Sequence, residues 1–211
     1  MYARVVEFEQ ATGSSADELV ETVRERSRST RAEVPDVQAL LVLVDPDHTR
    51  ALGLSFFESE EAIREAEPSF DKIGEELPEE TRGRRLSVDV YEVVRHEGGE
   101  GAKAARVSSF ESPADKIDEA VRRTERAEAM APFNDVLPRA AEMRGWKGYY
   151  WLADRSKGRT KMITLFDSAE ALETSASRAD ELRLQAARTS GDTITGVDHY
   201  EVVLSDHFAG R

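Results

Sequence analysis

Near its middle the chain reads Val88-Asp89-Val90-Tyr91-Glu92-Val93-Val94, and it returns to this stretch as Val197-Asp198-His199-Tyr200-Glu201-Val202-Val203. A second stretch recurs at the same offset, because Asp45–Glu61 matches Asp154–Glu170. Colinear matches about half a chain apart indicate a duplicated domain, since solenoid repeats are only about 20–50 residues long. The sequence therefore predicts repeat 1 over residues 1–95, a linker over 96–103, repeat 2 over 104–205 and a tail over 206–211.

Each repeat has the element order βαββαβ, which is the ferredoxin-like unit. Alternating and apolar runs bounded by turn residues predict the strands Tyr2–Glu9, Val37–Val44, Ala51–Phe57 and Leu86–Val94 in repeat 1. The strands predicted in repeat 2 are Ala104–Glu111, Trp146–Asp154, Arg159–Phe166 and Thr195–Leu204. The first strands share a short match of their own, Ala3-Arg4-Val5 with Ala105-Arg106-Val107.

Serine and proline positions set the helix expectations. Ser59, followed by Glu60 and Glu61, predicts an N-cap for the second helix of repeat 1. Proline lacks the N–H that a helix interior uses. We therefore expect Pro68 to kink or divide that helix, and Pro132 and Pro138 to break the first helical region of repeat 2.

Several strands are apolar on both faces, which fixes how the sheets must be covered. Ala39–Val44 carries no polar residue, and Tyr149–Leu152 is aromatic or aliphatic throughout. A sheet with one wet face would alternate apolar and polar residues. The two helices of a repeat cover one face, so the sheet of the other repeat must cover the second. The predicted fold class is α+β, with two ferredoxin-like repeats whose antiparallel sheets pack into a single-chain α/β barrel.

Composition excludes several classes of partner. The 211 residues carry a net charge of −13, which opposes binding to nucleic acid or anionic lipid through phosphate neutralisation. The chain contains no cysteine, so disulfides and thiolate metal sites are excluded. No apolar run approaches the roughly 20 residues of a membrane span. We expect a cytoplasmic protein that binds neither nucleic acid nor membrane.

One motif opens the second helix of both repeats. It reads Phe57-Glu58-Ser59-Glu60-Glu61-Ala62 in repeat 1 and Phe166-Asp167-Ser168-Ala169-Glu170-Ala171 in repeat 2, and Tyr-Glu-Val-Val occurs in both fourth strands. In this pattern the chain resembles the dimeric α/β-barrel superfamily, and more narrowly the antibiotic biosynthesis monooxygenase-like domains and related stress-response barrels. The resemblance implies that two units pack sheet against sheet, so a tandem copy would close the barrel within one chain. A higher oligomer stays possible.

The resemblance also bears on cofactors. Its haem-degrading branch carries an asparagine on the first strand and a histidine on the second helix, and neither repeat has them. The four histidines are scattered: His48 in a hairpin turn, His96 in the linker, His199 in a strand and His207 in the tail. No pair has the spacing of metal ligands. We expect no cofactor and no metal.

The repeats differ most where their cores should match. The helix stripe Ile63, Ala66, Phe70, Ile73 becomes Leu172, Ser175, Ala179, Leu182, while the strand residues Val37, Leu40, Leu41, Val42 become Trp146, Tyr149, Tyr150, Trp151. One interpretation is compensation of volume within a core. The other is a ligand pocket in repeat 2, between its sheet and helices. The ligand-binding candidates are Trp146, Tyr149, Trp151, Met143, Met162 and Ala179.

Catalytic candidates are few. Imidazole titrates near neutral pH, so one interpretation of His199 is a base, and the other is a hydrogen-bonded or barrel-mouth histidine with a structural role. Asn134 and Arg159 are the other polar candidates. The resemblance implies a cofactor-independent monooxygenase-like protein that acts on a small aromatic or polyketide-like molecule. The alternative is a non-enzymatic stress-response or small-ligand-binding barrel.

Overall fold

A computed structural model describes residues 1–9, 16–47, 49–76, 83–125 and 136–207. The eight strands are β1 Tyr2–Glu9, β2 Ala39–Val44, β3 Arg50–Phe57, β4 Arg84–Gly98, β5 Ala104–Glu111, β6 Trp146–Asp154, β7 Arg159–Phe166 and β8 Thr193–His207. The described helices are α1 Ala16–Glu33, α2 Glu60–Glu75, α3 Ala114–Glu125, α4 Val136–Ala141, α5 Ala169–Thr174 and α6 Ala176–Ser190.

The hydrogen-bonded strand order is β1-β3-β2-β8-β5-β7-β6-β4, and it closes on itself as a barrel within one chain. The predicted α+β fold class and the predicted closure within a single chain are therefore confirmed. In each half of this order, the first strand of the repeat is followed by the third and then the second. No helix in the described part of the chain is long and apolar enough to cross a membrane.

The chain divides into two compact units, and unit 1 comprises Met1–Tyr91 and Tyr200–Arg211. In its sheet, β1 and β2 pair antiparallel with β3, and the end of β8 pairs with β2. Helix α2 buries Ile63, Ala66 and Ile73, which pack with Phe57. Ser59 caps α2 as predicted, since its hydroxyl accepts a hydrogen bond from the Ala62 N–H at 3.1 Å.

Unit 2 comprises Glu92–His199. Here β5 and β6 pair antiparallel with β7, and the end of β4 pairs with β6. The short helix α4 packs with α6 over one aromatic residue of the sheet, in a cluster of Val136, Ala140, Trp151, Leu182 and Ala186. Strand β6 is buried along nearly its whole length, as its apolar sequence predicts.

Neither Pro68 nor Pro138 divides a helix, in contrast to the prediction. Helix α2 runs through Pro68 without interruption. The turn at Pro68 lacks one backbone hydrogen bond, and the packing of the buried face of the helix stabilises that turn. Pro138 is the third residue of α4, and N–H groups in a first turn have no helical acceptor to lose. Pro132 lies outside the described residues. The expected single helix after Ser168 is instead divided at Ser175 into α5 and α6.

Candidate functional site

A cavity of about 330 Å³ lies in unit 1 between its sheet and its helices. Three adjacent strands form its floor, with Arg4, Val6 and Phe8 on β1, Gly53 and Ser55 on β3, and Leu40 and Val42 on β2. These residues follow the register of the sheet, since Arg4 and Leu40 both lie opposite Ser55. The floor is therefore the helix-facing side of the sheet, with every second strand residue in it.

Gly53 lies in the middle of this floor. Val6 stands opposite it on one side and Val42 on the other. A Cβ atom built on Gly53 would have only ordinary contacts, 3.9 Å from the Phe8 ring and 4.0 Å from the Val6 carbonyl oxygen. The missing side chain leaves the floor open where the two valines flank it, and this gives the cavity its depth.

One end of the cavity holds an ion pair between buried Arg4 and partly exposed Glu67. Arg4 is 4% exposed, and its Nε and Nη2 donate to the two carboxylate oxygens of Glu67 at 2.7 and 2.9 Å. The same guanidinium lies over the Phe70 ring, 4.2 Å from its centroid. Two parallel charge-assisted bonds and a stacked ring hold this group in one plane.

The helix side carries a second arginine. Arg26 on α1 places its guanidinium 5.8 Å from the centroid of the Phe8 ring, and burial lowers its pKa. The buried hydroxyl residues Ser27 and Thr30 line the same wall. At the rim, Arg85 donates to Asp71 at 3.0 Å. The cavity thus combines apolar walls with planar N–H donors, a lining that suits an oxygen-bearing aromatic molecule.

The counterpart space in unit 2 is much smaller. A cavity of about 60 Å³ is lined by three of the predicted ligand-binding residues, Met143, Met162 and Ala179, together with Arg106. Trp151 lines a separate space of about 30 Å³, which Met162 also borders. Trp146 and Tyr149 line none of the described cavities. The structure thus brings together three of the six candidates, with Trp151 beside them.

The space between the sheet and the helices is smaller in unit 2 than in unit 1, and the ligand site expected in repeat 2 stays a prediction. Under the offset that aligns Asp45 with Asp154, Met162 takes the place of Gly53 and Trp151 the place of Val42. These two side chains lie opposite each other on β7 and β6 and fill the centre of the floor. The volume lost between Phe70 and Ala179 is more than replaced, because α4 also packs against Trp151 and Leu182.

The structure places the three predicted polar residues, His199, Arg159 and Asn134, in different surroundings or outside its described ranges. His199 accepts a hydrogen bond from the Arg106 Nε at 3.3 Å, and its pKa is lowered by burial and by the charges of Arg106 and Arg183. Arg159 lies at the β6–β7 hairpin, 3.5 Å from the Asp154 carboxylate, and lines none of the described cavities. Asn134 lies outside the described residues. Only His199 therefore contacts the surroundings of a cavity.

The other histidines form no common site. His96 lies in β4, which is longer than predicted, and its ring stacks on Tyr150 at 5.7 Å. His207 ends β8, and His48 lies outside the described residues. Over the ranges that the structure describes, no group of three histidine, aspartate or glutamate side chains could hold a metal ion.

Sequence reasoning missed Arg4, Arg26 and Gly53. Arg4 was visible as a charge in a strand whose next residues on the same face are Val6 and Phe8. A lone cation on an apolar strand face signals a buried partner or a ligand. Gly53 was visible as a glycine in the interior of a strand, which often marks a close approach.

The sequence matches no protein-family model. A relative is Uncharacterized protein Rv2557 of Mycobacterium tuberculosis, 24% identical over 168 residues, which cover 78% of this chain and 70% of the relative. A crystal structure named "Putative monooxygenase" from Fusobacterium nucleatum has a TM-score of 0.66 at 12% identity and covers 100% of this chain and 95% of its own. An anthrone oxidase-like protein has a TM-score of 0.64 at 14% identity, over 98% and 92%.

These comparisons establish the fold. The likeness extends over almost the whole of this chain and of each solved structure, so both repeats take part in it. The chain therefore has the tandem barrel fold of solved monooxygenase-like proteins, which the motif resemblance predicted. At these identities the likeness says nothing of substrate or reaction, because one fold hosts many activities.

Proposed function

We propose that the protein binds a small, flat, oxygen-bearing aromatic molecule in the unit 1 cavity and acts on it as a cofactor-independent monooxygenase-like protein. The observation that carries the proposal is the 330 Å³ volume together with the buried Arg4 and the half-buried Arg26 in its lining. Cavities that bind small molecules usually have about 300–1,000 Å³. The 60 Å³ space between the sheet and the helices of unit 2 is too small for an aromatic ring system. Another space in unit 2, of about 280 Å³, has no strand residue in its lining.

A cofactor-independent oxidation requires few protein groups. A phenol or enol that loses a proton becomes an electron-rich anion, and this anion can reduce O₂ directly. In the oxidation of an activated methylene to a carbonyl, one oxygen atom enters the substrate and the other leaves as water. The protein must bind the anion, stabilise its oxygen and exclude solvent. Arg4 and Arg26 supply N–H donors at the cavity wall, and Asp71 and Glu75 supply carboxylates at its rim.

A matched pair of variants tests the site. Gly53→Met introduces the residue that repeat 2 has at this position and fills the floor, whereas Gly53→Ala adds one methyl group in ordinary contact. Binding of anthrones, naphthols and hydroxyquinones is measured by the fluorescence of the ligands, since both tryptophans lie in unit 2. We expect Gly53→Met to weaken binding by roughly tenfold or more, and Gly53→Ala to bind as the parent protein does.

An oxygen electrode then distinguishes catalysis from binding. Oxygen consumption that requires the ligand and disappears in Gly53→Met supports the monooxygenase-like function. Binding without oxygen consumption leaves the alternative, a non-enzymatic small-ligand-binding barrel. Equal binding by the parent protein and Gly53→Met would place the ligand elsewhere, and failure of the whole panel to bind would refute the proposal.

A further inference from the structure

Arg4 and Arg106 occupy the same place in the two repeats. They stand in the matching stretches Ala3-Arg4-Val5 and Ala105-Arg106-Val107. Arg4 lies opposite Ser55 on β3, and Arg106 lies opposite Thr164 on β7, which is the residue that the repeat offset aligns with Ser55. Both are buried, at 4% and 2% exposure. The duplication therefore provides an internal comparison of two buried guanidinium groups.

Only one of the two has a carboxylate bound to it. Glu67, which pairs with Arg4, aligns with Ala176, and Phe70, which stacks on Arg4, aligns with Ala179. Burying a cation without a counterion is costly, so arginine residues at such positions are normally paired. Repeat 2 has the cation without either of these groups, and the centroid of the Phe166 ring lies 5.4 Å from the Arg106 guanidinium instead.

The hydrogen bonds of Arg106 all go to neutral acceptors. Its Nη2 donates to the Leu172 carbonyl at 2.7 Å and to the Ser175 Oγ at 3.2 Å, and its Nε donates to His199. Its Nη1 is buried and has no hydrogen-bond acceptor anywhere in the described ranges. Burial, with the nearby charge of Arg183, lowers the pKa of Arg106 to about 10.

The guanidinium is nevertheless held firmly. The Leu172 carbonyl that it contacts lies in α5, and the Ser175 hydroxyl donates to the same carbonyl at 2.7 Å. Ser175 is the residue at which the helix divides into α5 and α6. A donor fixed in this way needs no reorganisation to receive an acceptor.

The space beside Arg106 is small and positively charged. The 60 Å³ cavity is lined by Arg106 and Arg183, by the hydroxyl residues Ser108 and Thr164, and by apolar side chains that include Met143 and Met162. Arg183 is bound to Asp180 and reaches the Ser108 hydroxyl at 3.4 Å. We propose that unit 2 binds a small monovalent anion on the Nη1 of Arg106, and that this anion supplies the negative charge that the Glu67 carboxylate supplies to Arg4 in unit 1. The fitting class is a short carboxylate or a planar oxyanion, such as formate, nitrate or bicarbonate.

The test uses the full-length protein and formate as the probe, at constant ionic strength with gluconate as the balancing anion, which is too large for the cavity. We expect formate to raise the thermal midpoint along a saturating curve, because a ligand that binds only the folded state stabilises it. Ala176→Glu restores the carboxylate of repeat 1 at the first residue of α6, where the helix dipole also favours it. This variant should be more stable without formate and should no longer respond to it.

Arg106→Gln is the second variant, and its apparent affinity for formate should fall by roughly tenfold or more, since a charge-assisted bond is lost. If Arg106→Gln does not fold, the response of Ala176→Glu to formate still tests the proposal. Equal responses of the parent protein and Ala176→Glu would show a general salt effect and overturn the proposal. So would the absence of any response to formate, acetate, nitrate and bicarbonate. A response to formate and nitrate alike identifies an oxyanion site, whereas a response that grows from formate to propionate identifies the carboxylate end of a longer ligand. The outcome does not depend on the proposed activity in unit 1.

Discussion

Replacing Glu67 with alanine should leave Arg4 without a bound carboxylate, as Arg106 is in unit 2. The change removes two charge-assisted hydrogen bonds, at 2.7 and 2.9 Å, from a guanidinium whose side chain is 5% exposed. Breaking a fully buried pair costs about 3–5 kcal/mol. The Glu67 side chain is 35% exposed, and Arg4 keeps its contact with Phe70, so we expect a smaller loss of about 2 kcal/mol.

Urea and thermal unfolding measure this loss. At about 2–4 °C per kcal/mol for a chain of this size, the midpoint should fall by roughly 4–8 °C. Glu65→Ala is the matched control on the same helix, because Glu65 is exposed and should change stability by less than about 0.5 kcal/mol. Formate should restore part of the loss in Glu67→Ala by taking the place of the carboxylate.

A different result would refute the reasoning. If Glu67→Ala unfolds within about 0.5 kcal/mol of the parent protein, the ion pair contributes no more than a surface pair does. In that case a buried arginine in this fold tolerates the absence of a counterion. The missing carboxylate at Arg106 would then no longer indicate an anion site.

Three further predictions concern other parts of the molecule. The pKa of His199 lies below its ordinary value of 6.5, with Arg106, Arg183, Asp198 and Asp180 around the ring. The contribution of neutral His199 to stability is therefore present above pH 6.5 and is lost as the pH falls through the lowered pKa. His199→Gln should accordingly lose less stability between pH 7.5 and 5 than the parent protein. Gly74→Ala should stabilise α2 by about 0.5 kcal/mol in urea unfolding, since a Cβ there meets nothing within 4 Å. Purified protein should show no Soret band and no stoichiometric transition metal by elemental analysis, because both repeats lack the asparagine and histidine expected in the haem-degrading branch.

The sequence was a good guide wherever local pattern determines structure. The predicted bounds of β1, β5, β6 and β7 agree with the observed ones, because turn residues delimit each of these strands. The fourth strands were predicted too short. The end of β4 contains Arg95, His96 and Glu97, which are exposed and carry no apolar alternation. These residues are strand because they pair with Tyr149, Tyr150 and Trp151 of β6, and no local pattern records that pairing.

The unit 1 cavity was not predicted, for a related reason. The comparison of the repeats matched the second helix and the second strand, but it left out the third strand, which lies at the centre of each sheet. Gly53 and Met162 stand there, each between two other strands. Their difference in volume decides which unit is open. A residue on a central strand affects the shape of the cavity floor more than a residue on an edge strand does. Only the order of the strands in the sheet shows which strand is central.

The substitutions between the repeats separate two properties that repeat 1 combines. One repeat keeps the paired arginine and an open floor, with Glu67 bound to Arg4 beside Gly53. The other keeps the arginine, loses the carboxylate and closes the floor with Met162 and Trp151. An arginine that served only packing would be replaced once its partner was lost, because an uncompensated buried charge destabilises the fold. The presence of Arg106 in a filled core, with its Nη1 lacking an acceptor among the described residues, therefore supports binding of an anion.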